Sequence, residues 1–217
     1  MSEIQSKMPI AVLISGNGSN LQALIDAQPE SDYRIALVLS NKANAKGLQR
    51  AINAGIPTEV LDHTQFDTRL AFDQAMMKIL DQYQVEAVIL AGFMRILTPE
   101  FTQRYLGKML NIHPSLLPKY PGLNTHQRAL ESGDREHGLS IHFVTAELDG
   151  GPVILQAIVP VTTNDTAESL SQKVQQQEHI AYPKVASWLA NGRIELKDNQ
   201  AWYQHKRLET PLILSEV

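Results

Sequence analysis

The chain has 217 residues, 43% of them hydrophobic and 19% charged, the balance of a globular protein with length enough to bury a core. Its formal net charge is −4 without a dense Lys/Arg run, which argues against a nucleic-acid surface but leaves room for one local anion pocket. There is no cysteine, so disulfides, thiolate catalysis and Cys-ligated metals are excluded.

The start, Met1 to Lys7, is short and polar with no signal-type apolar segment behind it. The longest apolar runs are too short to span a bilayer, so a cytoplasmic protein without membrane or nucleic-acid partners is expected. Ile10 to Ile14 reads as a buried strand and Ser19 onward as a helix carrying Leu21, Leu24 and Ile25. Ile35 to Leu39 is the next strand, followed by a helix around Leu48 to Ala54 that Gly55 can cap. Thr58 to Leu61 reads as a short strand. Asp67 is then expected to cap a long helix with Leu70, Met76, Met77, Leu80 and Tyr83 on its apolar face.

Val85 to Leu90 is a strand, and Thr98-Pro99-Glu100 opens a short helix with its proline in the first turn. Gly107 to Leu110 leads into a strand that Pro114 stops just after His113. This alternation predicts an α/β fold with a Rossmann-like, mostly parallel sheet covered on both faces. After residue 138 the rhythm changes. Leu139 to Val144 and Val153 to Val161 read as two antiparallel strands joined by a Gly-rich loop. A long helix is expected from Ala167 to Asn191, with Asp165 as its cap, a kink at Pro183, and Gly192 closing it. Arg193 to Lys197 and Trp202 to Lys206, split by Asp198-Asn199, form a terminal hairpin. With no repeat or linker, one domain is expected over 1–217.

Three stretches carry candidate chemistry. Ser15-Gly16-Asn17-Gly18-Ser19-Asn20 joins a strand to a helix start, where unpaired amides and the helix dipole suit a phosphate. It is neither a full dinucleotide fingerprint nor a Walker loop, and an unliganded tight turn would carry the same glycines. In Asn111-Ile112-His113 a carboxamide and an imidazole lie two apart at a strand tip, on one face, apt for a carbonyl that must become an oxyanion. Asp149-Gly150-Gly151-Pro152 either simply starts a turn or brings a carboxylate back beside His113, where it would favour the charged imidazole. Arg69, in the first turn of its helix, opposes the dipole, which hints at an anionic partner or marks an idle surface residue. Met94-Arg95-Ile96-Leu97 sits at another strand end as an apolar slot or as plain packing. Glu178-His179, beside Gln175, reads as a solvated helix face, and the histidines lack metal-ligand spacing.

With these placed, the chain resembles the phosphoribosylglycinamide formyltransferase family of folate-dependent enzymes over Ile10 to about Arg207. The segments Ile14 to Leu21, Ala91 to Leu97, Asn111 to Pro118 and Leu148 to Pro152 carry the resemblance. The resemblance implies formyl transfer from 10-formyltetrahydrofolate to the amine of glycinamide ribonucleotide, without a metal, by a monomer or weak homodimer. It divides the chain into a phosphate-binding half, 1–113, and a half with the folate loop, long helix and hairpin, 114–217. It implies that Asn111, His113 and Asp149 are catalytic and that Gly18, Ser19, Asn20, Gln175 and Glu178 hold the ribonucleotide. Arg69, Met94, Arg95, Ile96, Leu97 and Thr145, with Asn111 and Asp149, would hold the folate. Asn124 departs from the family, where histidine is expected, and its role stays open. A 10-formyltetrahydrofolate hydrolase and a methionyl-tRNA formyltransferase share the trio but would need further domains at one end or the other, for which the chain offers no room. A catalytically silent sugar-phosphate-binding module is the alternative from another class.

Overall fold

The computed structural model describes residues 7–217, and the first six residues of the polar start read above lie outside them. Five strands form a parallel block: β1 (Met8–Ile14), β2 (Tyr33–Ser40), β3 (Thr58–Val60), β4 (Ala87–Leu90) and β5 (Met109–His113). β6 (Glu136–Phe143) adds antiparallel to β5, and β7 (Val153–Pro160) adds antiparallel to β6. The sheet order is β11-β7-β6-β5-β4-β1-β2-β3, where β11 is the short Leu212–Ile213 strand beside β7. Strand order reverses between β1 and β4, so their carboxyl ends flank a crevice of the kind in which α/β sheets bind ligands.

Alternation along the strands splits the core in two. Ile10, Val12 and Ile14 of β1 pack into one cluster and Ala11 and Leu13 into the other. The first cluster lies under α1 (Ser19–Ala27), α2 (Lys46–Asn53) and the long α6 (Ala167–Ala190). The second lies under α3 (Arg69–Gln82) and α4 (Pro99–Arg104). Leu110 and Ile112 of β5 join the first cluster, which turns Asn111 and His113 to the opposite face.

Several expected boundaries shift for identifiable reasons. α3 is capped by Thr68, whose hydroxyl accepts the Ala71 N–H, so Asp67 is not the cap and Leu70 is exposed. α6 starts at a capping box in which Thr166 and Ser169 satisfy each other's backbone amides; Asp165, just outside, instead accepts from Thr162, Ser169 and Lys173. The helix runs through Pro183 without a break and ends at Asn191, with Gly192 in the left-handed region. A short helix not expected from the pattern, α5 (Thr125–Glu131), follows Asn124, which is left-handed itself. The terminal hairpin of β8 (Ile194–Lys197) and β9 (Gln200–Tyr203) gains a third strand, β10 (Lys206–Arg207). No helix among the described residues is long and apolar enough to cross a membrane.

Candidate active site

The glycine turn links β1 to α1 with its left-handed bend at Gly18. A Cβ there would sit 2.6 Å from the Gly47 Cα, so glycine is what lets the starts of α1 and α2 converge. Among the described residues no side chain caps α1, so its first-turn amides keep the partial positive charge of a helix start, which suits an anion. α6 runs beside it: Ser19 accepts a hydrogen bond from Gln175 at 3.0 Å, and the Asn20 amide donates to Glu178 at 2.9 Å. The expected ribonucleotide residues Gly18, Ser19, Asn20, Gln175 and Glu178 thus lie together. Glu178 does not belong to a solvated face: it is buried, and burial pushes its carboxyl above the usual range while the Asn20 amide pulls it back. Ser15, at the start of the turn, is buried. Its buried hydroxyl donates to Asn41 at 2.6 Å and accepts the Met94 N–H at 2.8 Å, tying the turn to the loop after β4.

That loop exposes the apolar side chains of Met94 and Ile96, while Leu97 packs against the second core. Arg69 and Arg95 both lie in the field of Asp73, a carboxylate 1% exposed that accepts the Thr98 N–H and hydroxyl at 2.7 Å each. Asp73 stands one turn beyond Arg69, which explains why a cation is tolerated in the first turn of α3. Burial raises the Asp73 carboxyl pKa, against the pull of Thr98 and the two arginines. Arg95 stacks over Phe72 with its Cζ 5.9 Å from the ring centre, and its buried Nε has no hydrogen-bond partner among the described residues.

At the centre, the β6–β7 loop folds back so that Asp149 lies between two histidines. Its Oδ2 is 3.6 Å from His113 Nδ1 and its Oδ1 is 3.9 Å from His142 Nε2, all three side chains being no more than 8% exposed. Asp149 is left-handed at φ 50°, and its Oδ2 accepts the Gly122 N–H at 2.9 Å. Gly151 is required where the loop closes, because a Cβ would fall 1.8 Å from the Phe143 carbonyl oxygen. Thr145, half-buried, begins the same loop.

His142 stands opposite Asn111 in the β5–β6 register. Its Nδ1–H donates to the Phe143 carbonyl at 2.9 Å, so Nε2 carries the lone pair and accepts from the Asn111 amide at 3.1 Å. That bond turns the Asn111 NH2, not its oxygen, toward the site and leaves one N–H to spare. Burial pushes the His142 pKa down and keeps the ring a neutral acceptor; the Phe143 carbonyl and Asp149 oppose this. His113 Nε2–H donates to the Tyr120 carbonyl at 2.8 Å, so the nitrogen facing Asp149 is Nδ1. Sequence reasoning missed His142, although it sits alone in the apolar run Ile141 to Val144, on the strand expected next in the chain. Among the described residues no three acidic or imidazole groups gather as a metal would need.

A model of the family described as formyl transferase matches residues 8–186. The chain is 56% identical over 203 residues to the phosphoribosylglycinamide formyltransferase of Escherichia coli strain K12, covering 93% of this chain and 96% of that protein. It is 47% identical to the human trifunctional purine biosynthetic protein adenosine-3 over 90% of this chain but 20% of that longer protein. The solved phosphoribosylglycinamide formyltransferase of Coxiella burnetii superposes with a TM-score of 0.92 at 49% identity, covering 95% of this chain and 99% of the other.

Proposed function

Because the chain belongs to the phosphoribosylglycinamide formyltransferase family and is thereby a formyl-transferring enzyme of purine biosynthesis, we propose that it moves the formyl group of 10-formyltetrahydrofolate to the amine of 5′-phosphoribosylglycinamide in the cytoplasm. The products are formylglycinamide ribonucleotide and tetrahydrofolate. The phosphate lies on the first-turn amides of α1 at Gly18, Ser19 and Asn20, with Gln175 and Glu178 closing the acceptor side. The folate lies along Met94 to Leu97 and the Thr145 to Asp149 loop, its acidic tail drawn to Arg69 and Arg95.

The observation that carries the mechanism is the placement of Asp149 between two buried histidines, with Asn111 hydrogen-bonded to one of them. The neutral amine attacks the formyl carbon directly, forming the new C–N bond and leaving charge on the formyl oxygen. The spare Asn111 N–H and a protonated His113, through Nδ1–H, stabilise that oxyanion. Asp149 compensates the charge on His113 and takes up the proton leaving the attacking nitrogen. Collapse breaks the bond to the folate N10, which receives the proton that Asp149 took from the attacking nitrogen, so protons balance across the transfer.

The test is Asp149→Asn. Turnover falls about 10²–10³-fold, the scale of one lost electrostatic partner of the transition state, while KM for either substrate stays near wild type. Normal turnover with impaired binding would overturn the assignment.

A further inference from the structure

Residues 120–122 hold both members of the His113–Asp149 pair: the Tyr120 carbonyl accepts from His113, and the Gly122 N–H donates to Asp149. Tyr120 adopts φ 55°, a left-handed conformation disfavoured for a residue bearing a Cβ, so its surroundings must hold it there. The side chain shows how. Its hydroxyl donates to Asp134 Oδ2 at 2.8 Å, and Lys119 from the same bend meets that carboxylate at 3.0 Å. The Arg128 guanidinium covers the ring at 5.1 Å and donates to the Pro121 carbonyl at 2.6 Å. From beneath, the Ser115 hydroxyl donates to the Lys119 carbonyl at 2.6 Å.

We propose that Tyr120 and Asp134 are positioning residues for the reaction: the phenol–carboxylate tether holds the Tyr120 carbonyl against His113 Nε2–H and so presents Nδ1 to Asp149 and the formyl group. Neither side chain reaches the reacting atoms, since Asp134 lies at the turn after α5, on the far side of the bend. A carbonyl can only accept, so its contact at 2.8 Å admits the imidazole with a proton on Nε2 and excludes the other neutral tautomer. If the bend relaxes, Nε2–H loses its acceptor, so the imidazolium is no longer held with its Nδ1–H aimed at the reacting group. In the neutral ring the one remaining proton is then free to move to Nδ1, which reports the loss, and Gly122 withdraws from Asp149 at the same time. The effect therefore belongs to the chemical step. The ribonucleotide cradle on α1 and α6 is built from other elements and is unaffected.

The proposal rests on the reading of His113 as a catalytic group, and the experiment separates the two. Tyr120→Phe and Asp134→Ala remove the tether from either end, the first while keeping the ring under Arg128 and the second by taking away the acceptor of the phenol hydrogen bond. In both variants kcat falls roughly three- to tenfold, the weight of about one hydrogen bond, with KM for both substrates within about twofold. Nitrogen-15 NMR of the histidine rings, with His113 assigned by its loss in His113→Asn, shows the neutral His113 protonated at Nε2 in the wild type. It shows a mixture with the Nδ1–H tautomer in each variant. An unchanged His113 tautomer in both variants overturns the positioning role, whatever happens to kcat, as does a wild-type ring protonated mainly at Nδ1. Full turnover in His113→Asn would overturn the catalytic reading alone, because the tautomer shift is read without turnover.

Discussion

Gly18→Ala perturbs the point where α1, α2 and the proposed phosphate cradle meet. Holding a non-glycine residue at φ 73° costs about 1–2 kcal/mol. The new methyl would sit 2.6 Å from the Gly47 Cα, which is backbone and cannot swing away, so the helix starts must part. Overpacking of that kind adds about 1–3 kcal/mol, offset by about 0.4–1 kcal/mol from the stiffer unfolded chain. The net loss is roughly 1–5 kcal/mol, and for a domain of this size each kcal/mol lowers Tm by about 2–4 °C, giving a fall of about 2–20 °C. The same displacement misdirects first-turn amides, so KM for glycinamide ribonucleotide rises about tenfold or more, as for a lost hydrogen bond to a charged group. KM for the folate stays put. Scanning calorimetry and steady-state kinetics read the two effects, with Gly16→Ala as the stability control, since nothing lies within 4 Å of a Cβ there. A Gly18→Ala protein that melts with the wild type and keeps its acceptor KM would refute the reasoning.

His142→Phe removes the lone pair that orients the Asn111 amide; kcat falls roughly five- to tenfold with little change in either KM, measured at saturating substrates. Asp73→Asn weakens the field that gathers Arg69 and Arg95, so KM for the folate rises several-fold while acceptor KM holds. Because burial raises the Asp73 pKa, its ionised form costs stability above its titration range. The Asn variant accordingly melts no lower than wild type at pH 7, and any gap closes in acid. His137 is held down to about 4 by burial, with His126 and His113 adding to the depression and Asp134 opposing it. The unfolded chain then binds the extra proton first, so this contribution to stability is full above about pH 6.5 and fades as pH falls toward 4. Urea unfolding of His137→Gln shows a shallower loss over that window than wild type.

The parts of the site made by short-range pattern were legible in the chain. Gly16, Gly18 and the apolar runs flanking them announce a strand, a tight turn and a helix start. Asn111 and His113 announce a shared face at a strand tip before Pro114. The proximity of Asp149 depends on the antiparallel β6–β7 register and on a loop that folds back across the sheet, which no local pattern encodes. His142 becomes visible only once β6 is known to pair with β5, because its role comes from standing opposite Asn111. Tyr120 acts through its carbonyl, which every residue possesses. The caps were misread by one residue at Asp67 and Asp165 because carboxylates and hydroxyls compete for the same role. At α3 and α6 the geometry chose Thr68 and Thr166. Glu178 looked solvated among glutamines, but α1 packs over it and makes it a buried partner of Asn20.

The central claim is that a metal-free site transfers the formyl group to an amine through Asn111, His113 and Asp149. It is tested most directly by following 10-formyltetrahydrofolate absorbance with and without glycinamide ribonucleotide, for the wild type and Asp149→Asn, after exhaustive chelation. The account predicts consumption by the wild type only when the amine acceptor is present, undiminished by chelation, and slowed about 10²–10³-fold in the variant. Equal consumption without the acceptor would mean hydrolysis, and none with it would mean a binding protein; either result contradicts the account.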